Sequence, residues 1–336
     1  MAIFDLTLKS PLHQGEFVGI NREAALEWVP SDTLFAALVA TWASQGEELE
    51  TLLEGFRSGK PPFRITSAFP RAGLVRFYPV PPRLPVRLFD GGQDAKALKK
   101  IRWISQGILD SLVSGGAPAR EHTLHGGSIW LTSNEKQEVA PLLRTGDDGK
   151  SRLWHSQIVP HVTIDRSTSA SNLFHTGRVS FGENCGLWFA VDNPPESLRI
   201  ALTLLSDSGL GGLRSTGHGA FTFTEYAQAI PIAQDGWGLC LSRYAPQTLQ
   251  DVTDGLQSPQ STYKLISVGG WCQDDSGHAW RRRSVRLISE GALLPVTVTG
   301  GLVDVRPLDV PQFNNRPVYR YAFPYLIPAG NLAEVL

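Results

Sequence analysis

A glycine-rich stretch at residues 206–223 constrains this chain more than any other segment. It holds five glycines within eleven positions, between an amphipathic run and an alternating one. Glycine permits positive φ and close approach of a ligand to the main chain, and consecutive free N–H groups form an anion-binding concavity. Side-chain donors suited to phosphate come from Arg214, Ser215, Thr216 and His218. The stretch predicts either an anion-binding loop or a plain turn between a helix and a strand.

The spacing of these glycines does not match the common nucleotide fingerprints. Neither G-x-G-x-x-G after a strand nor G-x-x-x-x-G-K-[ST] applies, and the helix precedes the glycines instead of following them. A G-x-S-x-G nucleophile motif is absent as well. A nucleotide-binding or acyl-transfer enzyme is therefore disfavoured.

The composition indicates a folded chain with room for two domains. It has 336 residues, of which 42% are hydrophobic and 19% charged, and its net charge is −1. Such a balance argues against disorder and against a globally basic nucleic-acid binder. Any polyanion site must be a local patch, such as residues 281–283 (Arg-Arg-Arg) or 99–102 (Lys-Lys-Ile-Arg).

Three cysteines, Cys185, Cys240 and Cys272, are widely spaced and form no C-x-x-C. This pattern fits neither a disulfide framework nor a zinc site and favours a reducing compartment. His122 and His125 have metal-like proximity but no matching cysteine or carboxylate, so we expect no metal and no cofactor. No secretory leader or apolar run of ~18 residues is evident, and we expect a cytoplasmic protein without a membrane span.

The first part of the chain predicts strands and helices in alternation. Residues 2–9 predict a strand with one buried face, and a helix begins near residue 31, with Ser31 or Asp32 as its N-cap. The N-terminus of that helix is a second possible phosphate contact. The further expectations are helix at 47–56, strand at 62–69, no helix at the prolines of 70–85, helix at 94–113 and an irregular insertion at 114–152.

The middle of the chain supplies the remaining elements of the first domain. We expect a strand at 159–164, a hydroxyl-rich loop at 165–172 and a hairpin of 173–181 with 186–191. A helix from Pro195 to Leu205 then leads through the glycine loop, 206–220, to a strand at 220–226. This order suits a ferredoxin-like β-α-β-β-α-β domain at 1–229 with an insertion at about 70–155.

The last third changes to short alternating strands. We place a domain boundary near residue 230 and expect a sheet-rich second domain at 230–336, with a loose tail from residue 326. The predicted fold class is α+β, with two ferredoxin-like (RRM-like) domains in tandem and a large insertion in the first.

Several sequence blocks together resemble a known family. Residues 8–15 (LKSPLHQG) with 30–38 (PSDTLFAAL) resemble the N-terminus of RAMP proteins, the RNA-binding subunits of CRISPR systems. Residues 162–168 (VTIDRST) resemble their central I-D-R loop, and the glycine stretch resembles their glycine-rich loop. With residues 263–265, 270–271, 282–291 and 321–323, the combination is most similar to the Cas5-like fourth Csm subunit of type III-A effector complexes.

The resemblance implies a non-catalytic subunit for antiviral defence that binds the 5′ handle of crRNA. It also implies contacts with the large polymerase-like subunit and with the backbone RAMP subunit, and a thumb-like element within 70–155. The RNA-binding positions implied are His13, Ser31, Asp32, Asp165, Arg166, Thr168, Gly209, Gly211, Gly212, Arg214, Ser215, Thr216, Gly217 and His218. His218 and Ala220 depart from the family, which commonly has tyrosine and a basic residue there.

An alternative is a metal-independent RAMP endoribonuclease that processes pre-crRNA. His13 and His218 are its candidate general acid or base, since both lie in motifs expected to face RNA. No second catalytic partner is evident in the sequence.

Overall fold

The computed structural model describes residues 1–19, 22–46, 49–84, 95–119, 122–146, 148–228, 230–274, 276–314 and 316–333. The chain is α+β, as predicted. Among the described residues, no helix is both long and apolar enough to span a membrane.

The first two thirds of the chain contain the described α-helices and the largest sheet. In chain order, the elements are β1 (Ala2–Leu8), β2 (Gly15–Gly19), β3 (Arg22–Ala25), α1 (Ser31–Ser44), α2 (Leu49–Arg57), β4 (Phe69–Ala72), β5 (Val75–Pro79), α3 (Ala95–Leu98), β6 (Trp103–Ser105), α4 (Gln106–Val113), β7 (Thr123–Leu124), β8 (Ile129–Trp130), α5 (Ser133–Val139), β9 (Arg144–Thr145), β10 (Ser151–Arg152), β11 (Trp154–Ile164), β12 (Ser171–Phe181), β13 (Cys185–Val191), α6 (Glu196–Ser208) and β14 (Phe221–Tyr226).

The largest sheet has eight strands in the order β14-β1-β13-β4-β5-β6-β8-β7. Its first four strands pair antiparallel, and α1 packs against α6. The order β1-α1-β4-β13-α6-β14 is therefore that of a β-α-β-β-α-β unit. Strands β5 to β8 continue the same sheet, so much of the predicted insertion at 70–155 extends the sheet.

Several boundaries differ from the sequence predictions. The helix predicted at 94–113 is interrupted by β6, which pairs with β5 and β8, and Ser105 then caps α4. The strand predicted at 62–69 begins only at Phe69. The region 114–152 is not irregular throughout, since it contains α5, whose N-terminus has a capping box of Thr132 and Glu135.

The predicted single buried face of β1 is wrong. Asp5 is only 3% exposed, and its carboxylate accepts from Arg76 Nη2 at 3.1 Å. Both faces of β1 are covered, because residues such as Ile3 and Phe4 belong to different apolar clusters on either side of the sheet.

A long hairpin of β11 and β12 projects from this unit; we call it the arm. Its two eleven-residue strands pair along their full length, from Trp154–Phe181 at the base to Ile164–Ser171 near the tip. The predicted hairpin of 173–181 with 186–191 is wrong, since β13 pairs with β1 and β4 instead.

The last third of the chain is sheet-rich, as predicted. Its strands are β15 (Trp237–Cys240), β16 (Leu265–Val268), β17 (Trp271–Gln273), β18 (Ala279–Arg281), β19 (Val285–Ile288), β20 (Leu293–Pro295), β21 (Gly301–Asp304), β22 (Tyr319–Ala322) and β23 (Leu326–Pro328). They form small separate sheets in the described residues, β20-β15-β23, β16-β19, β17-β18 and β21-β22. A second ferredoxin-like domain is therefore not confirmed.

The predicted loose tail is wrong over residues 326–333. Strand β23 pairs with β15, and Leu332 is 1% exposed. The last third also packs into the first unit: the ring of Tyr321 lies 5.0 Å from that of Phe35, and the ring of Phe323 lies 5.8 Å from that of Phe56.

Candidate functional site

The glycine loop connects α6 to β14, and most of its main-chain donors serve the fold. The N–H groups of Gly209, Leu210, Gly212, Thr216, Gly217 and Gly219 donate to carbonyls of Leu205, Gly219, His13, Leu213, Arg214 and Pro11, respectively. The expectation that these N–H groups clamp phosphates is wrong, because a donor already paired at about 3 Å is not free for a ligand.

The loop is built against the segment that contains His13. The main chain of Gly211 and Gly212 lies so close to His13 that a Cβ at either position would meet it at 2.5 and 2.7 Å. His13 is 7% exposed, and its Nδ1–H donates to the carbonyl of Gly177 in the arm at 2.6 Å. His13 therefore joins the glycine loop to the base of the arm.

The exposed part of the loop presents side chains, not backbone. Arg214, Ser215 and Thr216 are exposed on a single helical turn that ends at Gly217. The hydroxyl of Thr216 donates to the carbonyl of Leu213 at 2.7 Å and lies 3.1 Å from Nδ1 of His218. Of the three, Arg214 supplies the charge that a phosphate would contact.

His218 is a partly buried histidine of the glycine loop. Burial lowers its pKa below the usual value of 6.5, and the nearby side chains of His13, Arg178 and His161 lower the pKa further. Two of these side chains, Arg178 and His161, belong to the arm.

The predicted I-D-R loop forms the tip of the arm. Oδ1 of Asp165 accepts from the N–H and hydroxyl of Ser167 and from the N–H of Thr168, and these bonds lower its pKa to about 2. The hydroxyl of Thr168 accepts from Ala170 N–H at 3.3 Å. Asp165 and Thr168 shape the turn, whereas Arg166 is exposed. Six residues of strand, roughly 20 Å, separate the tip from Gly177.

Ser31 and Asp32 lie inside α1 and are buried. The residue that precedes the helix is Pro30, without a side-chain cap, so the N-cap prediction is wrong. Oγ of Ser31 accepts from Arg243 N–H at 2.9 Å. The Asp32 carboxylate, 0% exposed, accepts from Arg243 Nη1 at 3.0 Å and from Arg320 Nη1. Their side chains thus join α1 to the last third of the chain.

A large cationic cleft opens above these arginines. Its volume is about 1710 Å³, and its walls come from both parts of the chain. Among the described residues it is lined by one carboxylate, that of Glu290, and by eight basic side chains: Arg83, Lys99, Arg102, Arg243, Lys264, Arg281, Arg282 and Arg320. Gln14 and Gly15, which follow His13 in the chain, also line it, so one wall of the cleft adjoins the segment that contacts the glycine loop.

Sequence reasoning found part of this cleft. The basic patches at 99–102 and 281–283 were singled out as possible polyanion contacts, and the cleft brings them together. Arg83, Arg243, Lys264 and Arg320 were missed, because isolated basic residues in four different segments carry no local signal.

No metal site is assembled in the part of the chain that the structure describes. That part holds no group of three or more histidines, cysteines or acids placed to bind a metal ion. His125 accepts from Leu153 N–H through Nε2 at 2.7 Å, and burial lowers its pKa to about 4. Cys185 and Cys240 are buried free thiols.

Comparison with known proteins shows similarity to one family. The model of the CRISPR Csm4 C-terminal domain matches residues 233–329. The CRISPR system Cms protein Csm4 of Mycobacterium tuberculosis (strain CDC 1551 / Oshkosh) is 24% identical over 303 residues, which are 89% of each chain. That of Thermococcus onnurineus (strain NA1) is 25% identical over 272 residues, 79% of this chain and 81% of its own. The chain is therefore similar to Csm4 proteins over most of its length, and its last third matches their C-terminal domain.

Two solved structures share the fold of this chain. A chain of the Csm3–Csm4 subcomplex in the type III-A CRISPR-Cas interference complex superposes with a TM-score of 0.66 at 18% identity, covering 98% of this chain and 99% of that one. A chain of the Csm1–Csm4 cassette in complex with cA4 superposes with a TM-score of 0.56 at 17% identity, covering 98% of each.

Proposed function

We propose that this chain is a non-catalytic, RNA-binding subunit of a type III CRISPR effector complex, which holds the 5′ handle of crRNA. The observation that carries the proposal is the cationic cleft, which among the described residues is lined by eight basic side chains and one carboxylate. A single RNA strand needs such a groove for its phosphates and exposed aromatic side chains for its bases.

The proposed path of the strand follows the connection through His13. Arg214 contacts a phosphate at the glycine loop, the strand passes Gln14 and Gly15, and the bases enter the cleft. Asp32 and Ser31 support this surface from beneath, because they hold Arg243 and Arg320 at the cleft wall. Arg166 at the tip of the arm is free to meet the RNA farther along.

The partners we propose are a Csm1-like large subunit and a Csm3-like backbone subunit. The support is that solved Csm4 relatives of the same fold are found with Csm1 and with Csm3. In this arrangement the chain bridges the backbone of the complex to its large subunit.

Nuclease activity remains the alternative, and its two candidate histidines are poorly placed for it. The ring of His13 is buried and engaged with Gly177, and Nδ1 of His218 lies 3.1 Å from the hydroxyl of Thr216. A general acid or base must reach the scissile phosphodiester. Incubation of the purified protein with its cognate repeat RNA in EDTA tests this point: cleavage that His13→Ala abolishes would overturn the proposal.

The RNA-binding role predicts a specific effect of Arg214→Ala. Loss of one phosphate contact should weaken binding of single-stranded repeat RNA and reduce the slope of log K against log salt by about 0.7. The measurement is a filter-binding titration over a salt series. Lys60→Ala is the matched control, since Lys60 is exposed and does not line the cleft. Equal affinity and slope for both variants and the wild type would contradict the role of the loop.

A further inference from the structure

Trp271 is an exposed aromatic side chain at the mouth of the cleft. It is 58% exposed, whereas Trp42, Trp130 and Trp188 are buried. It pairs across the β17–β18 hairpin with Arg281, whose Cζ lies 5.2 Å from the centroid of the indole ring. A guanidinium at this distance makes a cation–π contact, and the ring keeps apolar surface for a further planar group.

Hydrogen bonds of Asp274 brace the hairpin that carries Trp271. Oδ1 of Asp274 accepts from the N–H and hydroxyl of Ser276 at 2.9 and 2.6 Å, and Oδ2 accepts from the indole N–H of Trp280 at 2.9 Å. Because these bonds brace the hairpin before a ligand binds, they reduce the affinity that a ligand stacked on Trp271 loses to ordering of the protein.

Two arginines, Arg282 and Arg320, donate to the turn that precedes this hairpin. The turn at Gly269 and Gly270 receives a hydrogen bond from Arg320 Nη2 and one from Arg282 N–H. Arg320 is already paired with Asp32, whereas Arg282 has no carboxylate within 4.0 Å among the described residues. Burial and the repulsion of Arg320 lower the pKa of Arg282. An anion beside Arg282 would offset that repulsion.

We propose that Trp271, Arg281 and Arg282 form a subsite for one nucleotide of the bound RNA. The base stacks on the indole of Trp271, on the side that Arg281 leaves free, and the phosphate of the same or an adjacent nucleotide contacts Arg282. The inference rests on the RNA-binding role proposed above and gives the last third of the chain a direct part in holding the strand.

The chemistry of the surroundings favours a nucleotide over an apolar protein segment. Lys264, Arg243 and Arg320 line the same wall, and Glu290 is the one carboxylate among the described lining residues. An aromatic face beside several cations is the usual combination in sites for single-stranded nucleic acid, where stacking is tolerant of sequence.

The test combines protein variants with an abasic series of the RNA. Single-stranded RNA of the host repeat sequence, labelled at one end, is titrated with the full chain and read by fluorescence anisotropy. Trp271→Ala should weaken binding about 5- to 150-fold, and Trp271→Phe should retain most of the affinity. Arg282→Gln should weaken binding and lower the salt slope by about 0.7. Leu308→Ala, which removes an exposed apolar side chain elsewhere, is the control.

RNAs that carry an abasic ribose at one position each then distinguish loss of base stacking from a general change in the conformation of the protein variant. We expect one position at which base removal weakens wild-type binding and at which Trp271→Ala has no additional effect. If the wild type binds the RNA but no abasic substitution and no Trp271 substitution changes the affinity by more than twofold, the subsite is overturned and the RNA-binding role stands. Absence of wild-type binding would overturn both. Loss of a co-purifying large subunit in Trp271→Ala with unchanged RNA affinity would assign Trp271 to a protein contact and overturn the subsite.

Discussion

Asp32 holds two arginines of the last third of the chain with a single fully buried carboxylate. Arg243 approaches Oδ1 and Arg320 approaches Oδ2, and Arg243 also lies 3.7 Å from Glu290. A buried ion pair of this kind adds little net stability by itself, because desolvation of the charges offsets much of their attraction. Removal of one member destabilises the protein, because the remaining charges stay buried without their partner.

The variant Asp32→Asn should therefore be strongly destabilising. We expect a loss of about 3–5 kcal/mol in the free energy of unfolding, because Arg243 and Arg320 lose their shared counter-charge inside the protein. Urea unfolding followed by tryptophan fluorescence measures it. Glu50→Gln breaks the exposed pair with Arg57 and should leave the unfolding midpoint unchanged. Equal midpoints for Asp32→Asn and the wild type would show that the network is not structural.

Two glycines of the glycine loop have the same left-handed backbone conformation but differ in the space around them. Gly217 and Gly219 both have φ near +80°. A Cβ on Gly217 would meet nothing within 4 Å, whereas one on Gly219 would lie 2.0 Å from the carbonyl oxygen of Leu210. The first position requires only a left-handed conformation, and the second also requires the close approach of two main chains.

This pair gives a prediction in which each variant is the control of the other. Gly217→Ala should cost roughly 1 kcal/mol of stability, the usual penalty of a left-handed alanine. Gly219→Ala should cost about 1–3 kcal/mol more, because the Leu210 carbonyl must move and the turn that carries Arg214 moves with it. Thermal unfolding measures the difference. A Gly219→Ala variant as stable as Gly217→Ala would mean that the loop relaxes freely.

Elements whose signals are local were predicted well, and elements that depend on sheet pairing were not. The helix from Pro195 and the strand after the glycine loop were predicted close to their true bounds, because a proline start and clear periodicity mark them. The apolar residues at 98–112 have helical spacing, yet β6 interrupts them, since Trp103 and Ile104 pair with β5 and β8. Helix α5 had a readable signal, the T-x-x-E capping box at 132–135.

At the scale of the whole molecule, the two parts of the chain share their core. Tyr321 and Phe323 of the last third lie in one apolar cluster with Phe35 and Phe56, and Tyr325 lies in the other. The phenol of Tyr321 also accepts from Ile65 N–H at 3.1 Å. The boundary proposed near residue 230 therefore separates two parts that depend on each other.

A fragment of residues 1–228 should accordingly not fold on its own. Without the last third, the aromatic rings around Phe35 and Phe56 lose their cover and expose an apolar surface. We expect the fragment to bind a hydrophobic dye and to lack a cooperative thermal transition. Co-expression with residues 230–336 should restore both properties. A cooperative transition of the isolated fragment would show instead that the parts are independent domains.

The sequence by itself determined the α+β class, the order of elements around the glycine loop and the resemblance to the family. These features depend on periodicity and on short blocks of residues, which are local. Only the tertiary structure decided the roles of the residues: Asp32 is buried against two arginines, most N–H groups of the glycine loop serve the fold, and basic residues from distant segments form one cleft. Burial and hydrogen-bond pairing depend on residues far apart in the chain, and no local pattern contains them.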